Sequence, residues 1–526
     1  MSARRHLRDA ILPALLIGLL AGGATLLLRQ VRALEAMEFA LHDRLSAQRP
    51  AREAHPDITV IYETESDLKR FGHPLNDEKF AAALTRLLAM KPKAIVVDKY
   101  RDLPLPPGSE AFNAVLREND NILWVAKHGR SEFDGVPPPK VLAGSDRVGC
   151  ADVPIDGDGR VRRYMLAMGG GNQVCPSIGY LTAAVVLAGK NQTVGFDPSA
   201  AGTVTLGAHR AMLFTGREGP YVREDARGYQ LPILYERPPA RSHTLSQLFD
   251  GVVPPSSIGD RIVLVGTSAI SLRDVFDIPP RTGRESVLPG VMLHATAIGE
   301  LLDAAAGAAR PVMAGDRVIL VSAFAMALLC AALMLSPLSI PWAALAGAVA
   351  IGAWMPAASQ WAGSGTVLAP AAPMVAGLFA ATASLAWRAW REARERGELM
   401  GWFGKHVSPE VAQAIWQQRD QFAEKGRMPP QNVRVSVLFA DIRGYTTVSE
   451  SLGIDRMIPW LNRAIAEMVA AVTENKGVVT RFAGDQVMAV FGVPVARTTD
   501  AAVAEDARNA IEAGLAMDRK LAALNV

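Results

Sequence analysis

The chain has 526 residues, too many for a single core, so several units are expected. Lys and Arg number 55 against 52 Asp and Glu, and the formal charge of +3 excludes the strongly basic footprint of a nucleic-acid binder. With 50% hydrophobic residues the composition points to a membrane instead.

Residues 11–28 form an uncharged apolar run behind Arg4, Arg5 and Arg8, long enough to cross a bilayer. The small residues Ala21-Gly22-Gly23-Ala24 also suit a cleaved signal peptide, but the run continues past them to Arg29, so an uncleaved anchor is expected.

From residue 29 to 317 the pattern alternates between strand and helix. Residues 58–62 read as a strand, 77–90 as an amphipathic helix and 94–98 as a buried strand, together a βαβ unit, and 122–126 and 262–265 repeat the strand signature. Parallel strands covered by helices are the natural solution. Glu63, Asp98 and Asp274 end apolar runs, where they either line a ligand cleft at strand C-termini or act as caps and internal ion pairs. Asp156-Gly157-Asp158-Gly159 looks like the start of a calcium loop, but no Glu stands at the twelfth position, and a hairpin turn between flanking strands is expected. Cys150 and Cys175 can pair if this stretch faces an oxidising compartment, although two isolated apolar cysteines are the more usual arrangement. Cys330, in an apolar run, reads as packing.

A second apolar block, 318–387, is broken at Ser336-Pro337 and near residues 360–365, and divides into spans at 318–336, 341–359 and 367–387. The middle span is the weakest, being rich in Ala and Gly and carrying Pro356. Arg388, Arg391, Arg394 and Arg396 follow at once, so the positive-inside bias puts both chain ends in the cytoplasm and the number of crossings is even. Four transmembrane helices satisfy this, with residues 1–10 inside and 29–317 outside. Residues 388–430 then read as a helical signalling linker. His406 lies in it and is taken as a linker residue rather than a phospho-acceptor, since no kinase nucleotide motif follows.

From residue 433 the order is strand (433–440), helix (455–475), strand (478–483), Gly-Asp turn, strand (486–491) and helix (500–522), the opening of an α+β ferredoxin-like palm. Such a palm brings Asp441, at the exit of the first strand, close to Asp485 in the hairpin. Two carboxylates delivered in this way suit a pair of divalent ions gripping a nucleoside triphosphate, and the backbone around Gly444, leading into a helix, offers N–H groups to phosphate oxygens.

Two resemblances follow. Residues 35–305 resemble the second family of CHASE sensor domains, extracellular modules of bacterial cyclases and histidine kinases. The likeness is carried by Ile58-Thr59-Val60-Ile61-Tyr62-Glu63, Lys93-Ala94-Ile95-Val96-Val97-Asp98, Asp156-Gly157-Asp158-Gly159-Arg160-Val161-Arg162-Arg163, Arg261-Ile262-Val263-Leu264-Val265-Gly266-Thr267-Ser268 and Pro289-Gly290-Val291-Met292-Leu293-His294-Ala295. Residues 400–526 resemble the class III nucleotidyl cyclases through Phe439-Ala440-Asp441-Ile442-Arg443-Gly444-Tyr445-Thr446 and Arg481-Phe482-Ala483-Gly484-Asp485-Gln486-Val487.

The second resemblance implies that Asp441 and Asp485 are the catalytic, metal-binding carboxylates for two Mg²⁺ or Mn²⁺ ions. The Ile442 carbonyl adds a ligand, and Ile442, Arg443, Gly444, Tyr445 and Thr446 cradle the triphosphate. Adenylate-type members carry Lys and guanylate-type members Glu at the position of Arg481. Arg, like Lys, donates to adenine N1, so ATP is the expected substrate and cyclic AMP the product, with GTP as the alternative because guanine O6 also accepts. The family's site forms across a dimer, so a homodimer in a bacterial inner membrane is expected, with membrane lipid, an unidentified extracellular ligand and no nucleic acid as its other relations. After Val526 the family continues with strands bearing a second base-selecting residue and an Asn/Arg pair. The chain is therefore read as an incomplete, truncated cyclase domain (431–526) with little turnover alone. A catalytically dead sensor or regulatory subunit that pairs with an intact cyclase is the competing expectation. A diguanylate cyclase palm is disfavoured, since the hairpin reads Ala483-Gly484-Asp485-Gln486 rather than the Gly-Gly-Asp/Glu-Glu-Phe pattern of that family.

Overall fold

The computed structural model describes residues 2–524 apart from 50, 128–134, 171–172, 197–201, 282, 364, 404–431 and 494–496. Two compact units are present, Ile11–Thr382 and Met1–Ala10 with Ala383–Val526.

The first unit is built on a six-stranded parallel sheet whose spatial order is Arg241–Thr244, Ile58–Glu63, Ile262–Thr267, Ala94–Val97, Ile122–Ala126, Val148–Cys150. The expected βαβ unit is there with one correction: strand Ile262–Thr267 is inserted between its two strands, pairing Ile262 with both Ile58 and Ala94. Alternate strand residues go to opposite faces. Val60, Val96, Leu123 and Leu264 pack against helices Ile178–Ala188 and Gly290–Ala305, while Ile61, Ile95, Trp124 and Val263 pack against helices Asp77–Ala89, Ser109–Glu118 and Leu245–Phe249. Cover on both faces is why these strands read as unbroken Val/Ile runs.

A smaller antiparallel sheet, ordered Tyr229–Pro232, Arg163–Gly170, Gln173–Pro176, follows. The Asp156-Gly157-Asp158-Gly159 stretch is a turn, closed by the Gly159 N–H on the Asp156 carbonyl at 2.9 Å. It is not the hairpin turn expected, because the strands on either side, Val148–Cys150 and Arg163–Gly170, belong to different sheets. The expectation of two isolated cysteines is also corrected. Cys150 and Cys175 form a disulfide, with Cα atoms 6.0 Å apart. The two sheets touch at a parallel bridge between Cys150 and Ser177, which lays residue 175 alongside residue 150. Cys330 is free and buried.

Among the described residues three helices are long and apolar enough to cross a membrane: Ala10–Gln30, Asp316–Met334 and Ile340–Ala362. They cover the first three expected spans, and the third continues through Pro356. The helix expected as a fourth span at 367–387 is not among these three, and it starts later. Thr366–Val367 pairs with Val312–Met313 in a short parallel ladder, and the helix begins at Ala371 and runs on to Phe403. Ala14, Ala21, Met326, Cys330, Ile351, Trp354, Ala376 and Ala380 share one cluster, so all four helices meet. Small residues let the first two approach closely: a Cβ at Gly18 would lie 2.6 Å from Leu328, and one at Gly22 2.4 Å from Phe324. Residues 404–430 of the expected linker, His406 included, lie outside the described residues.

The second unit holds a three-stranded antiparallel sheet ordered Ser436–Ala440, Gln486–Phe491, Val478–Ala483. Helices Ile454–Glu474 and Asp500–Leu524 cover one face, through Met468, Val472, Ala513 and Met517 on Val487, Ala489 and Phe491. A short helix, Tyr445–Leu452, follows Gly444 and precedes them. Val437 and Phe439 point the other way and are exposed.

Candidate active site

Two strand ends build the site. Ala440 pairs with Val487 and Ala483 with Gln486, so the chain leaves the first strand at Asp441 on the same edge where Gly484 and Asp485 turn the hairpin. Gly484 has φ +67°, a left-handed turn conformation for which glycine carries no Cβ penalty. The register therefore brings Asp441 and Asp485 to the same edge, close enough for their carboxyl groups to interact. The Asp441 carboxyl is held above its ordinary range by loss of solvation and by the neighbouring Asp485 charge and hydrogen bond, with the Ile442 N–H acting in the opposite sense.

Beyond Asp441, Gly444 at φ +77° swings the backbone into helix Tyr445–Leu452. The Tyr445 N–H donates to the Ile442 carbonyl at 3.2 Å and the Val448 N–H to the Gly444 carbonyl at 3.1 Å. One lone pair of the Ile442 oxygen is thus used and the other is available. The first N–H groups of a helix have no acceptor within it, so residues after Gly444 offer donors to an anion. Arg443 and Thr446 are exposed in this turn, and Tyr445 is partly buried. Arg481 pairs in register with Met488, two steps before the hairpin turn, past a bulge between Val479 and Arg481. Met488 also pairs with Phe439, which puts Arg481 on the face of the sheet away from the helices.

The structure so brings together Asp441, Ile442 and Asp485, places Arg443, Gly444, Tyr445 and Thr446 in the adjoining turn, and leaves Arg481 on the outer strand. Among the described residues no group of three or more His, Cys, Asp or Glu side chains could hold a metal ion by itself. Two mutually repelling carboxylates fit Mg²⁺ nonetheless, because that ion takes one or two protein carboxylates and completes its octahedron with water and substrate phosphates.

Comparison with known proteins agrees with this division of the chain. The family model for the CHASE2 domain matches residues 16–335, and that for the adenylate and guanylate cyclase catalytic domain matches residues 428–526. The chain belongs to the CHASE2-domain family and carries a class III adenylate/guanylate cyclase catalytic domain after it. It is similar to the uncharacterized proteins Mb1353c of Mycobacterium bovis and Rv1319c of Mycobacterium tuberculosis, each 36% identical over 113 residues, or 21% of this chain. Rv1320c of Mycobacterium tuberculosis is 35% identical over 113 residues. The chain spans about a fifth of the length of these curated relatives.

Proposed function

We propose that the chain is a membrane-bound receptor adenylate cyclase, whose outer domain senses a signal and whose inner domain makes 3′,5′-cyclic AMP and pyrophosphate from ATP. The observation that carries this reading is the meeting of the Asp441 and Asp485 carboxyls at one edge of a sheet within a cyclase-matched domain. In the reaction the ribose 3′-oxygen loses its proton and bonds to the α-phosphorus as the bond to the pyrophosphate oxygen breaks. When bound, divalent ions supply activation of that hydroxyl and neutralisation of the triphosphate charge. Asp441, Asp485 and the Ile442 carbonyl would hold them. The backbone from Ile442 to Thr446 receives the phosphates, and Arg481 donates to adenine N1. The three strands and two covering helices read as part of a ferredoxin-like palm, and a second copy of the chain is the partner that covers the face bearing Phe439 and Arg481.

For topology we favour four crossings, with 1–10 and 388–526 inside and 29–317 outside. The shared cluster of four helices supports this, as does the Cys150–Cys175 disulfide, which suits an oxidising compartment.

The test is nucleotide binding to the full chain in lipid nanodiscs, using α,β-methylene-ATP, which cannot cyclise, with Mn²⁺ and calorimetric detection. Mn²⁺-dependent binding is expected to weaken by more than about tenfold in both Asp441→Asn and Asp485→Asn. Binding that ignores Mn²⁺, or that survives both substitutions, overturns the assignment. A preference for the GTP analogue would convert it to a guanylate cyclase.

A further inference from the structure

At the C-terminal edge of the sensor sheet lies a cleft of about 480 Å³. Asp98 enters it just past strand Ala94–Val97, Asp274 from the loop after strand Ile262–Thr267, and His294 from helix Gly290–Ala305, with Tyr100 and Phe276 as aromatic walls. Ligands of open parallel sheets bind at this edge, where loops leave the strands.

Of the basic groups that line the cleft, Arg273 is exposed, with no ion pair described for it, and the others already have partners. Lys99 is paired with the buried Glu63 carboxylate, and His73 Nδ1 stands 3.7 Å from the same group. Arg101 lies 3.2 Å from Asp77 and donates to the Leu75 carbonyl. Glu63 therefore takes the ion-pair role left open by its position, and the other two acids do not. The Asp98 side chain is only 10% exposed, and the nearest basic group described for it is His294 Nε2 at 3.9 Å, beyond hydrogen-bond reach.

His294 cannot supply the missing charge. The Tyr164 oxygen accepts the Gly179 N–H at 3.0 Å and lies 2.8 Å from His294 Nδ1, within hydrogen-bond reach of the ring. Burial takes the imidazole down to about 4, which keeps it neutral. Asp274 is held against the start of its neighbouring helix, where a Cβ on Gly290 would come within 2.5 Å of the carboxylate. Loss of solvation raises the Asp98 carboxyl to about 7, and loss of solvation together with the Asp98 charge raises Asp274 to about 6. Two secluded carboxylates that face one cleft, with no side-chain hydrogen bond described for either, are costly to a folded protein unless something else completes them. No three-ligand metal group exists among the described residues, and the space is that of a small organic molecule.

We propose that this cleft is the ligand site of the sensor domain and that it takes a small organic cation, an ammonium or guanidinium compound, between the Asp98 and Asp274 carboxylates. Tyr100 and Phe276 then lie against its carbon frame, where an aromatic face also attracts positive charge.

The test uses the full chain in nanodiscs at pH 8, following thermal unfolding by tryptophan fluorescence with agmatine and putrescine as probes and succinate as the anionic control. At least one of the two cations raises the midpoint saturably and succinate does not. Asp98→Asn and Asp274→Asn each weaken the cation's apparent affinity by more than about tenfold, as loss of a charged partner does. Without ligand, each variant is at least as stable as the parent, because a secluded charge with no described hydrogen bond has been removed. The proposal is overturned if neither cation stabilises the parent, if succinate does so equally, if the cation effect persists in both variants, or if both variants are destabilised in the absence of ligand, which would make the carboxylates structural.

Discussion

The Glu38 carboxylate accepts the backbone N–H groups of Ala371 and Ala372, at 3.1 and 2.9 Å. Ala371 opens helix Ala371–Phe403, so an acid from helix Glu35–Ala47 satisfies two of the orphan donors at its start. Glu38 is 1% exposed. Burial raises its carboxyl from 4.5 to about 7, against the opposing pull of the two N–H groups and of the Arg29 charge. The folded chain then binds more protons than the unfolded chain between those two values, so this group makes stability fall as pH rises from about 4.5 to about 7. Glu38→Gln keeps an acceptor but cannot ionise, and is expected to flatten that slope. Glu38→Ala leaves both N–H groups without a partner and should cost about 1–3 kcal/mol at any pH. Unfolding midpoints at pH 5 and pH 7.5 in nanodiscs distinguish the two.

The same helix is anchored on its other side by Arg162, whose side chain is 3% exposed and lies 2.8 Å from Asp43, 3.0 Å from Asp156 and 2.6 Å from Asp158. Arg163 adds a contact to Asp156 at 2.7 Å, and the Tyr221 hydroxyl donates to Asp156 at 2.9 Å. This network is what the Asp-Gly-Asp-Gly turn is for: its acids take arginines, not calcium. Arg162→Ala would leave three carboxylates without their shared cation, and a loss of about 3–5 kcal/mol is expected. The exposed Arg227–Asp225 pair provides the contrast, since Arg227→Ala should stay within about 0.5 kcal/mol of the parent. Chemical denaturation of the two variants measures the difference.

What could be read in advance was whatever depends on neighbours in sequence. Strands such as Ala94–Val97 and Ile122–Ala126 announce themselves because they are buried on both faces, and the Asp441–Asp485 meeting follows from a strand exit and a two-residue hairpin turn. Arrangements closed over long distances were not legible. Ile262–Thr267 slips between two earlier strands, and Glu38 finds a partner 333 residues away. Arg241–Thr244, exposed at its start and polar throughout, carries none of the apolar signature of the strands it joins. His294 sits in the apolar first turns of helix Gly290–Ala305, and no spacing rule indicates that Tyr164 and Asp98 converge on it.

Helix packing in the apolar bundle gives a further prediction. A Cβ at Gly22 would fall 2.4 Å from Phe324, whereas one at Gly23 would meet nothing within 4 Å. Gly22→Val must therefore push the first helix away from helix Asp316–Met334, an overpacking cost of about 1–3 kcal/mol. Gly23→Val is the matched control with the same change in propensity and no clash. The expected outcome is a lower thermal midpoint for the first variant alone, read in the same detergent.

The disulfide tests both stability and sidedness. Cys150 and Cys175 are separated by 25 residues, and closing a loop of that size stabilises a fold by about 3.5 kcal/mol in the chain-entropy account. Dithiothreitol should lower the unfolding midpoint of the parent and leave a Cys150→Ser/Cys175→Ser double variant unmoved. Sidedness follows from alkylation in cells quenched before lysis. If the sensor faces an oxidising compartment, both thiols resist maleimide until reductant is added, and the free, buried Cys330 reacts only after unfolding. Reaction of Cys150 and Cys175 without reductant would instead place the sensor on the reducing side of the membrane, and the four-crossing arrangement would lose the support it takes from this bond.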